Sequence, residues 1–291
     1  MRMVYYAIGG GLGHLVRAHA FLRTIGHTGT AIVLTASEFA GDARLGDGVE
    51  MLRVPKALSQ DVPALRRWLT GELRRIGADC LCVDAFPAGI LGELCDLPPG
   101  LVGRYWHVAR MLRWDEYARV LCGTPPRYER CWRVEPLNPA QQQFIDRHCE
   151  RCEDLELADA PLAAVHPGAR EPFWLVVHSG PADEVGELLA YADDMRQAEG
   201  AQVALWLASR APPAQLPPAT RVLDVYPAAA YFPHAQRIFS AAGFNVMRQA
   251  APFRDKHMVL PMPRRFDDQY ERARRAAQDA RCTAPRGDSS L

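Results

Sequence analysis

The chain has 291 residues, 34 acidic and 34 basic side chains, and 48% hydrophobic residues. The balanced charge gives no bulk positive field for nucleic acid or an anionic membrane, so neither is expected as a partner. Length and apolar content suit two ordinary domain cores, and no stretch approaches the ~20 apolar residues of a membrane span.

The first residues, Met1 to Tyr6, run directly into a strand and lack the small-residue cleavage site of a secretory signal, so a cytoplasmic chain is expected. An apolar run over 3–8 reads as a buried strand, and 15–22 has the apolar spacing of a helix. Between them stands Ile8-Gly9-Gly10-Gly11-Leu12-Gly13-His14. A glycine-rich turn between a first strand and a first helix lets the backbone approach a ligand closely, and Gly11 and Gly13 are candidates for that approach. The turn ends in His14, which places an imidazole where ligands of open α/β sheets bind. It is not a dinucleotide fingerprint: the G-x-G-x-x-G spacing is missing, and the second strand, 30–35, ends in Ala36-Ser37 rather than an acid. It is not a phosphate loop either, since no Lys-Ser or Lys-Thr follows. His14 could cap or pack; the glycines and its position favour a functional role.

Strands are expected over 49–54 and 79–84, separated by a helix over 61–76 with Asp61 as N-cap and Gly77 as terminator. Asp84 ends its strand on the same rim as His14. It reads equally as N-cap for a helix over 89–94 or as the acidic partner that orients the His14 ring. A strand over 101–108 leads into a segment dense in aromatics and arginines, among them Arg104, Trp106, Arg110, Trp114 and Tyr117. That segment reads as a self-packed loop, or as an acceptor wall with apolar faces and positive heads. A short strand over 131–135 closes this half.

Cys149 and Cys152, preceded by His148, have metal-like spacing, but no second such pair follows nearby. A redox Cys-x-x-Cys would open a helix after a strand, whereas this one follows the polar run Gln141-Gln142-Gln143. No metal site is expected. Residues 146–167 lack sustained periodicity and mark a domain joint, giving domains 1–160 and 161–291.

The second half restarts with strands over 173–178, 202–207, 237–240 and 257–261, a helix over 183–200, a Pro-rich hinge over 211–218 before the segment 221–227, and a terminal Arg- and Ala-rich helix. The tail after Cys282 reads as disordered. The turn Ala241-Ala242-Gly243-Phe244-Asn245 offers backbone N–H groups to a diphosphate, or is an ordinary strand-to-helix turn.

Four motifs together resemble the GT-B glycosyltransferases, in particular the bacterial branch with the lipid-linked N-acetylglucosaminyl transferase of peptidoglycan synthesis and the macrolide glycosyltransferases. They are the glycine turn ending in His14; Val83-Asp84-Ala85-Phe86-Pro87 with Gly92-Glu93-Leu94; Ser240 to Gln249; and Pro261 to Asp268-Gln269. The resemblance implies an α/β chain of two Rossmann-like domains facing each other across a cleft. It further implies metal-independent sugar transfer, without a cofactor, from a nucleoside-diphosphate sugar (UDP- or dTDP-linked) to a small-molecule or peptide acceptor. His14 would be the general base and Asp84 its helper. Ser179, Gly180, Gly243, Phe244 and Asn245 would approach the phosphates, Val225 and Tyr226 the base, and Asp268 and Gln269 the sugar hydroxyls. Gln249 stands where the family usually grips the ribose with an acid. The chain is also short for the family, and Ala228 to His234 lacks the expected histidine-bearing phosphate motif. Two further readings share the fold: a nucleotide-sugar hydrolase of the nonulosonate type, which also has an arginine three residues after the histidine, as Arg17 here, and a non-catalytic nucleotide-sugar-binding subunit.

Overall fold

A computed structural model describes residues 1–45, 48–162, 165, 169 and 171–283. Part of the expected joint, and the tail beyond 283, lie outside the described residues. The chain divides into two compact units, one of Met1–Ala160 with Arg265–Asp267, the other of Pro161–Arg264 with Asp268–Leu291.

The first unit is built on seven parallel strands: β1 (Met3–Ala7), β2 (Ala31–Thr35), β3 (Glu50–Arg53), β4 (Cys80–Asp84), β5 (Arg104–Ala109), β6 (Tyr128–Arg133) and β7 (Cys149–Asp154). Their spatial order is β3-β2-β1-β4-β5-β6-β7. Tyr5 pairs with Val33 on one side and Cys82 on the other, which fixes the register of the centre. Strands β1, β2 and β4 are buried throughout, as expected of apolar runs covered on both faces.

The helices of this unit are α1 (Leu12–Thr24), α2 (Val62–Ile76), the single turn α3 (Trp114–Tyr117) and α4 (Pro139–His148). The ends of α2 follow from local chemistry: the Asp61 side chain accepts from the Ala64 N–H, and Gly77 stops it with φ 64°. Its Leu65, Leu69, Leu73 and Ile76 are buried along one stripe.

The second unit has five parallel strands, β8 (Phe173–Val177), β9 (Ala204–Ala208), β10 (Thr220–Leu223), β11 (Arg237–Ser240) and β12 (His257–Val259), in the order β10-β9-β8-β11-β12. Its helices are α5 (Ala182–Ala198), the short α6 (Phe244–Gln249) and α7 (Gln269–Thr283).

Several elements differ from the sequence reading. Residues 89–94 form turns rather than a helix. Gly89 and Gly92 take left-handed φ values of 82° and 83°, and the fully buried Glu93 carboxylate accepts from the Tyr6 hydroxyl at 2.8 Å, the Ile90 N–H at 3.1 Å and the Leu91 N–H at 2.7 Å. A Cβ on Gly89 would lie 2.2 Å from the Glu93 carboxyl carbon, so this loop requires glycine there. Strand β5 starts at Arg104, later than its apolar residues suggest, and β6 starts at Tyr128. The polar run 141–143 lies in α4, capped by Asn138 and anchored by buried Phe144 and Ile145. The Cys-x-x-Cys segment is strand β7; as an edge strand with mostly solvent-facing residues it carries no apolar period.

His107 on β5 is fully buried; its Nδ1–H donates to the Val83 carbonyl at 2.9 Å and its Nε2 has no partner. Burial pushes its pKa down to about 4. The unfolded chain therefore takes up a proton below about pH 6.5 that the folded chain refuses. Stability should be full above pH 6.5 and fall as pH drops toward 4, with about 3 kcal/mol from this residue at the lower end. Urea midpoints measured across that range should show the loss, and His107→Asn should flatten the slope by about one proton.

Candidate active site

In an open parallel sheet, ligands bind beyond the carboxyl ends of the strands, where neighbouring strands lead away in opposite directions. In the first unit that point lies between β1 and β4, because the chain moves outward through β2 and β3 on one side and β5 to β7 on the other. The β1–α1 turn and the end of β4 meet there, and they carry His14 and Asp84.

Helix α1 begins at Leu12 with Gly11 as N-cap, so Gly13 and His14 belong to its first turn rather than preceding it. The Nδ1 of His14 lies 2.6 Å from Oδ2 of Asp84. Asp84 is 1% exposed and takes four contacts on its two oxygens. The Tyr5 hydroxyl donates at 2.9 Å, Arg17 Nε at 2.6 Å and Arg17 Nη2 at 2.5 Å, and His14 completes the set. Burial alone would raise the Asp84 pKa. The Arg17 charge and the hydrogen bonds from His14 and Arg17 outweigh it and hold the carboxyl well below its usual range.

An ionised Asp84 settles the His14 tautomer, because a carboxylate only accepts: Nδ1 carries the proton and Nε2 the lone pair. Arg17 Nη2, 3.2 Å from Nδ1, is a neighbouring donor rather than a partner. Burial lowers the His14 pKa below 6.5; Asp84 pulls it back in part, and Arg17 and Arg110 push it further down. The ring is 14% exposed, and its lowered pKa favours the neutral form at pH 7. It rests on Gly9, where a Cβ would come 2.4 Å from Nε2. The Phe86 ring stands 5.8 Å from it, with the Arg110 guanidinium 5.8 Å from the Phe86 centroid and ion-paired to Asp267. Asp84 is thus the partner of His14 and not a helix cap.

The second unit has its own switch point between β8 and β11. Two of the turns singled out in the sequence lie there. Ser179 and Gly180 form the β8–α5 turn, Ser179 exposed. His178 Nε2–H donates to Glu184 Oε2 at 2.7 Å, and Arg264 donates to both Glu184 oxygens at 2.6 and 2.5 Å. Burial works to raise the Glu184 pKa, but Arg264 and His178 bring it below the usual value; burial lowers that of His178 against the pull of Glu184. A Cβ on Gly180 would meet His178 Nε2 at 2.3 Å, so this turn needs glycine to let the pair form.

The β11–α6 turn ends in Gly243, the N-cap of α6, with Phe244 buried and Asn245 and Gln249 half-buried on the helix. Val225 and Tyr226 are half-buried after β10. Asp268 accepts from the Glu271 N–H at 3.1 Å, capping α7. Gln269, 4% exposed, accepts from the Met262 N–H at 3.0 Å. Arg272 of α7 donates to the Ala242 carbonyl at 2.8 Å, tying that helix to the β11–α6 turn. No group of three or more His, Cys, Asp or Glu side chains among the described residues is arranged to hold a metal ion. No helix among them is long and apolar enough to cross a membrane.

The structure adds Tyr5, Gly9 and Arg17 to the His14–Asp84 site. Arg17 was visible as the residue one helical turn after His14, and Tyr5 as the β1 residue that faces α1; neither pattern alone names a carboxylate as the target.

No protein-family model and no curated protein matches this chain. Solved structures do. A spinosyn rhamnosyltransferase complexed with thymidine diphosphate matches with TM-score 0.64 at 17% identity, covering 96% of this chain and 85% of that one. A spinosyn forosaminyltransferase matches with TM-score 0.61 at 15% identity, over 96% and 83%. A Streptomyces glycosyltransferase, also complexed with thymidine diphosphate, matches with TM-score 0.60 at 12% identity, over 96% and 86%. The chain has the α/β, two-sheet GT-B fold of these glycosyltransferases.

Nitrogen-detected NMR on selectively labelled histidine should show His14 as the Nδ1–H tautomer with a pKa below 6.5. Asp84→Asn should abolish that tautomer preference. An unchanged tautomer in the Asn variant would contradict the role given to the carboxylate.

Proposed function

We propose that the chain is a glycosyltransferase that moves a sugar from a nucleoside diphosphate to an acceptor hydroxyl, with His14 as general base. One observation carries this reading: the His14 imidazole lies 2.6 Å from the buried Asp84 carboxyl at the switch point of a GT-B sheet. The thymidine diphosphate bound by two of the similar structures supports a UDP- or dTDP-linked donor.

In this reading His14 Nε2 takes the acceptor's hydroxyl proton as that oxygen attacks the anomeric carbon. The bond from that carbon to the phosphate oxygen breaks, and the nucleoside diphosphate departs with the electron pair. Asp84 stabilises the imidazolium formed at His14 and keeps its ring in place. The donor lies on the second unit, its diphosphate at Ser179, Gly180 and the Gly243 turn, with Phe244 and Asn245 beside it. Val225 and Tyr226 meet the base, Gln249 the ribose, and Asp268 and Gln269 the sugar hydroxyls; Gly11 and Gly13 let the α1 turn approach the donor. No step draws on a metal ion, so a chelator should leave turnover unchanged. The acceptor is a small molecule or peptide met by the Phe86 and Arg110 side of the His14 site, and the chain works in the cytoplasm.

Arg17, three residues after His14, also suits a hydrolase in which the same base activates water. Sugar release from the donor alone would favour that reading, and turnover only with an added acceptor favours transfer.

His14→Ala should lower kcat by roughly 10²–10⁴-fold while the dissociation constants of dTDP and UDP stay within twofold. Calorimetry of both nucleotides on the two proteins, beside a donor-consumption assay, makes the comparison. A large loss of nucleotide binding would place His14 in donor recognition instead of catalysis.

A further inference from the structure

Cys149 and Cys152 do not form the close pair that their spacing first suggests. They lie on β7, an extended strand, where residues three apart are separated by about 10 Å along the chain. Disulfides need Cα atoms within about 7 Å, so this Cys-x-x-Cys cannot close on itself. The fold supplies a third cysteine. Cys131 on the neighbouring β6 pairs directly with Cys152 in the parallel register. Adjacent strands run about 4.8 Å apart, inside the separation that a disulfide spans. Cys131 is fully buried, and both Cys149 and Cys152 pack against its cluster while remaining partly open at the sheet edge. All three are free thiols.

We propose that Cys131 and Cys152 form a dithiol–disulfide exchange site for low-molecular-weight disulfides, with Cys152 attacking and Cys131 resolving. The two thiols differ as the roles require. Contact with Cys149 and Cys152, and then burial, keeps Cys131 protonated. The Cys131 thiol favours the Cys152 thiolate against burial, and the Arg133 guanidinium adds to it, with Asp146 and Asp154 opposing. The Cys152 thiolate attacks one sulfur of the small disulfide, whose S–S bond breaks and releases one thiolate. That thiolate takes the proton of Cys131. The Cys131 thiolate then attacks Cys152 Sγ, and the second small group leaves as a thiolate that takes a proton from water. The protein loses two electrons, and the small disulfide gains them as two thiols. The product ties the edge strand β7 to β6.

The experiment uses the intact protein, reduced, desalted and incubated with oxidised glutathione. Remaining thiols are blocked with N-ethylmaleimide and the digest is mapped by mass spectrometry. The expected result is a Cys131–Cys152 cross-linked peptide pair, two thiols lost per chain, reversal by dithiothreitol, and persistence of the cross-link in Cys149→Ser. Before oxidation, Cys152 should alkylate at least roughly tenfold faster than Cys131. A lasting glutathione adduct on Cys152 without a cross-link, a Cys131–Cys149 bond, or reaction confined to the exposed Cys122 would each overturn the proposal. The wild-type map decides the matter even where a serine variant fails to fold.

Discussion

The interaction on which the candidate site depends is the buried pair of Asp84 and Arg17. A carboxylate 1% exposed is expensive to ionise unless charge and hydrogen bonds replace the water it has lost. Arg17 meets it through two nitrogens, and Tyr5 and His14 add a hydroxyl and a ring N–H. With four contacts on two oxygens, little freedom remains for any of the four side chains. The rigidity of His14 is therefore a consequence of solvating Asp84 from within. Removing Arg17 would leave an uncompensated buried anion, a change that costs about 3–5 kcal/mol in comparable pairs. The same removal would let Asp84 take a proton and release the His14 tautomer.

Strand order explains why these residues meet. His14 and Asp84 are 70 residues apart in sequence, yet β1 and β4 are neighbours because β2 and β3 were laid on the other side of β1. The β1–α1 turn and the end of β4 consequently share one rim of the sheet. The second unit repeats the arrangement with β8 and β11. Each unit thus carries glycines at its switch point, and there they do the same steric job. Gly9 clears room for the His14 ring and Gly180 for the His178–Glu184 pair, each where a Cβ would lie within 2.4 Å of an imidazole nitrogen.

What the sequence made legible follows from range. The alternating strands and helices, the glycine run and the cap of α2 are written in consecutive residues, where periodicity and capping chemistry act. The partnership of His14 and Asp84 could be posed but not decided, since it depends on which strands become neighbours. Residues 89–94 hold apolar side chains among two glycines, and the left-handed Gly89 and Gly92 together with the burial of Glu93 against Tyr6, 87 positions away, show why they turn instead of forming a helix. Strand β7 was hidden for another reason. An edge strand keeps few side chains in the core, so neither its polarity nor its cysteines announced it.

Asp268 and Gln269, the residues proposed to meet the sugar hydroxyls, are held by bonds within the chain. Asp268 spends one acceptor on the Glu271 N–H and Gln269 spends its carbonyl on the Met262 N–H. Both bonds fix the side chains before any ligand arrives. A carboxylate has further lone pairs and a carboxamide two N–H donors, so hydrogen-bonding capacity is left over. Arg272, in the first turn of the same helix, donates to the carbonyl of Ala242, one residue before Gly243. Helix α7 therefore links the Asp268–Gln269 pair mechanically to the Gly243 turn. A substitution at Arg272 would disturb both, though its side chain is 6% exposed and needs touch no ligand. Geometry set by such internal bonds costs no ordering at the moment of binding.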